Sequence, residues 1–219
     1  PFRELWRRYK ACHEQKGFYF SLLFSAVLFF GSVVVNYFAS AYATDRVSNS
    51  VTDIVLSNTP VYDVDGLFVY GAIALIVFIG ALCVSHPKRL PLTLYSLALF
   101  YFIRGGFVAL THIGPFPEHT PIHFTTDIGI YFSKLFFGDD LFFSGHTGAP
   151  FMMALVYWKQ KFMRYLFIAW SVFFAAVVLL GHIHYSIDVV AAFFITFSIF
   201  QMVLYFFPHA KRVFDASFE

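Results

Sequence analysis

The sequence predicts an all-α membrane bundle of six transmembrane helices, with both termini on the cytoplasmic side. Three observations predict it. Of the 219 residues, 59% are hydrophobic and only 13% charged, about half the charge content of an ordinary soluble domain. Apolar runs long enough to cross a bilayer alternate with polar connections. Lys and Arg also fall mostly on every second connection, as the positive-inside rule requires. The whole chain, residues 1–219, therefore reads as one integral membrane domain. It divides into an amphipathic cytoplasmic arm over 1–17, a six-span bundle over 18–207 and a cytoplasmic tail over 208–219, with no room for a separate soluble domain.

The arm is basic and lacks the apolar stretch and small-residue cleavage site of a secretory signal. The first span runs from about Phe18 to Ala43, with Asn36 its one strongly polar interruption. Residues 44–66 form an acidic loop carrying Asp45, Asp53, Asp63 and Asp65 against Arg46, with a turn signal at Asn58-Thr59-Pro60. The second span, about Leu67 to Val84, ends in the short turn Ser85 to Pro91. The third, about Leu92 to Leu110, contains Arg104. A long polar loop then spans Thr111 to Phe143. Within it, Ile128, Tyr131, Phe132, Leu135 and Phe136 recur at helical spacing and predict an interfacial helix over Asp127 to Phe137. The fourth span, from about Ser144 to Trp158, is the shortest; the fifth covers about Phe162 to Leu180 and the sixth about Tyr185 to Phe207.

Orientation follows from the cations. Arg3, Arg7, Arg8, Lys10, Lys16, Lys88, Arg89, Lys159, Lys161, Arg164, Lys211 and Arg212 fall on one side, and Arg46 and Lys134 on the other. This assigns the first set to the cytoplasm. Cys12 and Cys83 then lie toward that side, where a structural disulfide is not expected. Arg104, His112, His146, His182 and His184 all gather at the opposite, extracytoplasmic face.

Those residues admit specific chemistry. His184 and Asp188 are four apart at a helix start and share a face. The carboxylate can hold one imidazole nitrogen and leave the other as nucleophile or base, or the pair can simply anchor a helix end. Ser144-Gly145-His146 offers an N-cap, a residue that permits close approach, and free N–H groups that attract an anion. It is equally the start of an ordinary capped helix. An Arg at mid-span costs about 2.5–3.5 kcal/mol on insertion scales. Arg104 therefore faces inward, either onto a phosphate, for which a guanidinium is suited, or into an ion pair with Asp188 or Asp140. His182 either joins the site or caps the fifth helix. His112, His119 and His123 lack a zinc-type spacing and read best as interfacial polar residues. Two other classes fit the composition, a non-catalytic membrane binding or transport protein and a haem protein, although haem ligation calls for histidines facing each other inside the bundle.

Ser144-Gly145-His146-Thr147 and His184-Tyr185-Ser186-Ile187-Asp188-Val189-Val190 resemble two signature motifs of the type-2 phosphatidic acid phosphatase superfamily, and more closely those of its sphingomyelin synthase branch. The resemblance implies an external His, His, Asp triad with His184 as nucleophile, Asp188 as its orienting partner and His146 as the acid. It also implies substrate contacts from Arg104, Thr111, Ser144, Gly145 and Asp140. On this reading the substrates are a phospholipid donor and a lipid or water acceptor, with no metal, no cofactor and no nucleic acid involved. The superfamily's phosphatases carry an Arg six residues before the nucleophile. Here that position is Val178, and Lys88 and Arg89 lie on the wrong side to replace it. Fewer cations suit a phosphodiester monoanion better than a phosphomonoester dianion, so headgroup transfer or diester cleavage is expected ahead of lipid phosphate hydrolysis, the alternative. Gly114-Pro115 stands where the branch would have Leu-Pro, and Phe137 sits near an expected Cys.

Overall fold

The computed structural model describes residues 2–13, 15, 17–119 and 141–216. Among these, the regular elements are helices: α1 (Phe2–His13), α2 (Phe18–Thr44), α3 (Asp65–Ser85), α4 (Leu90–Leu110), α5 (Gly145–Val156), α6 (Lys161–Leu180), α7 (Ser186–Phe206) and α8 (Pro208–Asp215). Short 3-10 turns lie at Leu56–Asn58 and Pro87–Arg89. The interfacial helix expected over 127–137 falls outside the described residues.

Five helices, α2, α3, α4, α6 and α7, are long and apolar enough to cross a membrane, which makes this an integral membrane protein. Their packing is inverted relative to a water-soluble bundle. On α2, Ser25, Ser32, Asn36 and Ser40 are buried, while Leu23, Val27, Phe30, Val34 and Phe38 are exposed. In hydrocarbon, small and polar side chains bring helices together and large apolar ones meet lipid. Gly105 shows the consequence, since a Cβ there would stand 3.3 Å from the Asn36 Cα, so α2 and α4 cross nearly backbone to backbone.

The expected fourth span differs. α5 has 12 residues, about 18 Å at 1.5 Å per residue, against a hydrocarbon core of about 30 Å. It packs against α4, α6 and α7, and eight of its 12 residues are buried, so it is a core helix that lipid scarcely touches. Ser144 caps its start, Pro150 withholds an N–H from its second turn, and a tight turn with Gln160 N donating to Tyr157 O closes its end. Ser171 Oγ donates to Thr147 O at 2.7 Å. Ser171 lies nine residues before the end of α6 and Thr147 two residues inside α5, so α5 begins about 10 Å below that end. The short helix creates a recess.

The two ends of the bundle differ in chemistry. At one, α1 lies across the α3–α4 turn, with Arg8 Nη1 donating to Ser85 O at 2.9 Å and Tyr9 Oη to Val84 O at 3.1 Å. The expected tail folds as α8, which buries Ala210, Val213 and Phe214. Phe214 meets the Tyr157 ring edge-on, and Lys159 pairs with Asp215 at 3.0 Å. This end holds the basic segments. At the other end the polar loops 45–64 and 111–119 pair: Ser48 N donates to His112 O at 2.7 Å and Gly114 N to Asn49 O at 3.2 Å. The recess lies beneath these loops.

Candidate active site

The site begins with α7. Asp188, in its first turn, is fully buried, and its Oδ2 accepts from the Tyr185 backbone N–H at 3.0 Å and from His184 Nδ1 at 3.2 Å. One carboxylate oxygen thus closes the helix cap and orients the imidazole, fixing the Nδ1–H tautomer and leaving Nε2 as the basic nitrogen. The spacing of four that put both residues on one face in the sequence produces this pair. The backbone reaches it through a sharp reversal. Gly181 follows α6, a Cβ at Gly181 would collide with Val64 Cγ2, and His182 adopts a left-handed φ of 53°. Ile183 N and His184 N both turn back to Val178 O.

α5 supplies the second part. Phe143 takes a left-handed φ of 59°, a conformation that costs an ordinary residue about 1–2 kcal/mol. Its ring is wholly buried, edge-on to Phe100 at 5.1 Å. This contact holds the reversal that delivers Ser144 to the cap position, where its Oγ accepts from Thr147 N at 3.4 Å. Ser144 N donates to Asp188 O at 3.2 Å, so the starts of α5 and α7 are joined. His146 packs between Phe68 of α3, with centroids 4.1 Å apart, and Phe174 of α6, at 5.5 Å. It lies within Coulombic reach of both His184 and Arg104.

Arg104 comes from α4 and is buried, its Nη1 donating to Asn36 Oδ1 at 3.1 Å. Asn36, the polar interruption of the first span, thus holds the guanidinium from behind. A Cβ on Gly145 would stand 3.0 Å from Arg104 Nε. Glycine lets the cation lie against the backbone at the helix N-terminus, where the first-turn N–H groups already favour an anion.

Arg104, Ser144, Gly145, His146, His184 and Asp188 are therefore brought together. Thr111 is not, because it ends α4 and its Oγ1 donates back to Phe107 O at 3.0 Å, about 10 Å along the helix from Arg104. Asp140 and His123 lie outside the described residues. His182 Nδ1 donates to Glu118 O at 2.6 Å and its ring meets Phe116, so it fastens the second loop. His112 packs edge-on against Tyr42, and the exposed His119 donates to Phe116 O.

Three contributors escaped the sequence reading. Phe68 flanks His146. Tyr185, buried, has its Oη donating to Gly114 O at 2.8 Å and accepting from Val51 N at 3.2 Å. Asp53 Oδ2 accepts from both Ser186 N at 2.7 Å and Ser186 Oγ at 2.8 Å. Burial alone would raise the Asp53 pKa, yet hydrogen bonds from Ser186, Leu56 and Val55 together hold it below the usual carboxylate range. Nothing in the composition of the acidic loop distinguishes Asp53 from its neighbours. An open cavity of about 550 Å³, lined by Leu56 to Pro60 and Phe116 to Glu118, lies between the loops and contains none of the residues of the recess.

Fold and recess define a polytopic helical membrane protein with a buried His–Asp pair and an arginine-backed helix N-terminus. Residues 137–206, the stretch that carries α5, α6 and α7, match the family model described as PAP2 superfamily C-terminal, which supports placing that stretch with this superfamily. No curated protein and no solved structure matches the chain.

Proposed function

We propose that this protein is a membrane lipid phosphotransferase or phosphodiesterase of the sphingomyelin synthase-like kind, acting through a phosphohistidine. The observation that carries the reading is the His184 Nδ1 to Asp188 Oδ2 pair, 3.2 Å apart, set beside the Arg104-backed start of α5. A lipid phosphate enters the recess beside Ser144 and is held by Arg104 and the first-turn N–H groups of α5, beginning with that of Gly145. His184 Nε2 attacks phosphorus, forming an N–P bond as the bond to the lipid alkoxide breaks, and Asp188 stabilises the charge that develops on the imidazole. His146 gives its proton to the departing alkoxide, a contribution worth about 10²–10⁴-fold. In the second half, neutral His146 takes a proton from an acceptor hydroxyl, of a lipid or of water, whose oxygen attacks phosphorus and releases His184. No step calls on a metal or cofactor.

The depth of the recess suits the class. A phosphate about 10 Å below the end of α6 is reached by a lipid entering sideways from the bilayer. The basic segments at the opposite end favour a cytoplasmic location for that end, with α5 as the short sixth crossing and the recess facing the extracytoplasmic side. Val178, fully buried, stands where the superfamily's phosphatases place a cation, which favours a diester substrate over a phosphomonoester. The test is purified protein with labelled phospholipid, with and without ceramide or diacylglycerol. A new phospholipid identifies transfer; released headgroup alone identifies hydrolysis. His184→Ala removes both turnover and phospho-labelling of folded protein, and activity retained by that variant would exclude the mechanism.

A further inference from the structure

The carboxylate of Asp53 makes four hydrogen bonds, divided between two parts of the chain. Its Oδ1 accepts from Val55 N at 2.8 Å and Leu56 N at 3.1 Å, which ties it to its own loop. Its Oδ2 accepts from the backbone and the hydroxyl of Ser186, 133 residues away. Ser186 lies midway between His184 and Asp188. A planar carboxylate bonded on both edges leaves little freedom of rotation, and Asp53 itself is only 7% exposed.

The cap of α7 is already closed by Asp188 on Tyr185 N, so capping alone does not explain a second buried carboxylate, which is costly to desolvate. What Asp53 adds is a fixed position for the first turn of α7 relative to the loop. The loop in turn is fastened at Val51 N to Tyr185 Oη and at Tyr62 N to Leu180 O, 2.8 Å. A rotation of that turn would displace His184 and Asp188 together.

We infer that Asp53 is a positioning residue for the His184–Asp188 pair, acting through Ser186, and that the 45–64 loop belongs to the reacting machinery although it lies far outside the matched stretch 137–206. This inference rests on the proposed role of His184. Asp53 touches no reacting atom. It aims the nucleophile at phosphorus, and misplacement by about 1 Å costs on the order of a hundredfold in rate.

The experiment compares wild type, Asp53→Asn, Ser186→Ala and His184→Ala in detergent micelles with ³²P-labelled phosphatidylcholine and phosphatidic acid. It measures the rate constant and amplitude of phosphoenzyme formation together with steady-state kcat and KM. Asp53→Asn lowers the rate constant about tenfold to a hundredfold and leaves KM within about twofold. Burst amplitude per folded protein is unchanged, and the rise in hydrogen exchange is confined to peptides covering 182–189. Ser186→Ala, which removes only the hydroxyl bond, gives a smaller fall of the same kind. An unchanged rate constant, or an amplitude that falls while the rate constant holds, overturns the inference and leaves Asp53 a residue of fold stability. Wild type without His184-dependent phosphoenzyme on either lipid overturns the proposed chemistry and this inference with it, and the wild-type and His184→Ala samples distinguish that failure from the first.

Discussion

The main-chain N–H of Ser144 donates to the main-chain oxygen of Asp188 at 3.2 Å, so two helix starts 44 residues apart in sequence form one hydrogen-bonded unit. Neither side chain is used in this bond. Ser144 Oγ remains on its own helix and the Asp188 carboxylate on His184 and Tyr185. The relative placement of His146 and His184 is therefore set by backbone, which substitutions on the surface of either helix do not disturb.

Gly145 is the most exacting position in this unit. In Gly145→Ala the added methyl carbon stands 3.0 Å from Arg104 Nε and 3.5 Å from its Cζ, closer than a relaxed contact. The guanidinium shifts, since the helix backbone behind Gly145 is held at Asp188. Overpacking of this kind costs about 1–3 kcal/mol, but part is relieved because Arg104 is long. The expected outcome is a modest fall in unfolding temperature with a larger loss in kcat/KM, about tenfold or more and carried mainly by KM, since phosphate binding is weakened in both ground and transition states. Steady-state kinetics beside a thermal melt of the same preparation checks it. An unchanged kcat/KM would show that Arg104 does not serve the phosphate from this position.

Much of this arrangement is legible in the sequence. The spacing of four between His184 and Asp188 fixes a shared helical face whatever the surroundings, and the one-sided distribution of Lys and Arg is read by counting. The shortness of α5 was legible, but its burial was not, because hydropathy reports that a run is apolar and not whether lipid or protein covers it. Here Met152, Met153 and Ala154 are fully buried in protein. The helical tail escaped for a related reason: Ala210, Val213 and Phe214 are too few to signal a core, and they acquire one only because Tyr157 and Phe18 lie against them. Asp53 shares its loop with three other aspartates of the same local composition. Its role depends on Ser186, which no local pattern announces.

The same carboxylate gives a pH dependence with a definite sign. Asp53 is held below its ordinary pKa, burial being outweighed by the hydrogen bonds from Ser186, Leu56 and Val55. The unfolded chain therefore takes up the proton first as pH falls. The stabilisation is complete above the unfolded value of about 3.9 and is lost as pH drops through the lower folded value. Thermal melts of wild type and Asp53→Asn from pH 7 to pH 3 test this. Wild type is the more stable at pH 5–7, and the two curves converge below about pH 4. A gap of constant width across the range would show that the ionised form of Asp53 is not what holds Ser186.

Gly114 occupies the position where the sphingomyelin synthase branch was expected to carry leucine, and the structure gives a reason for glycine in this chain. A Cβ at Gly114 would run into the carbonyl oxygen of Ser48. That oxygen is backbone, fixed by the bonds from Ser48 N to His112 O and from Gly114 N to Asn49 O, and it cannot swing away as a side chain would. Gly114 O also accepts the hydroxyl of Tyr185, so any shift passes directly to the residue beside His184. Gly114→Leu is expected to separate the two loops, at a cost of about 1–3 kcal/mol, or a fall of roughly 2–12 °C in unfolding temperature for a chain of this length. Turnover falls with it. Gly114→Ala should cost nearly as much, because the first carbon already meets the carbonyl and the rest of the leucine projects beyond it. Melting curves for both variants decide the matter, and a leucine tolerated without loss would mean that the loops over the recess pair through other residues.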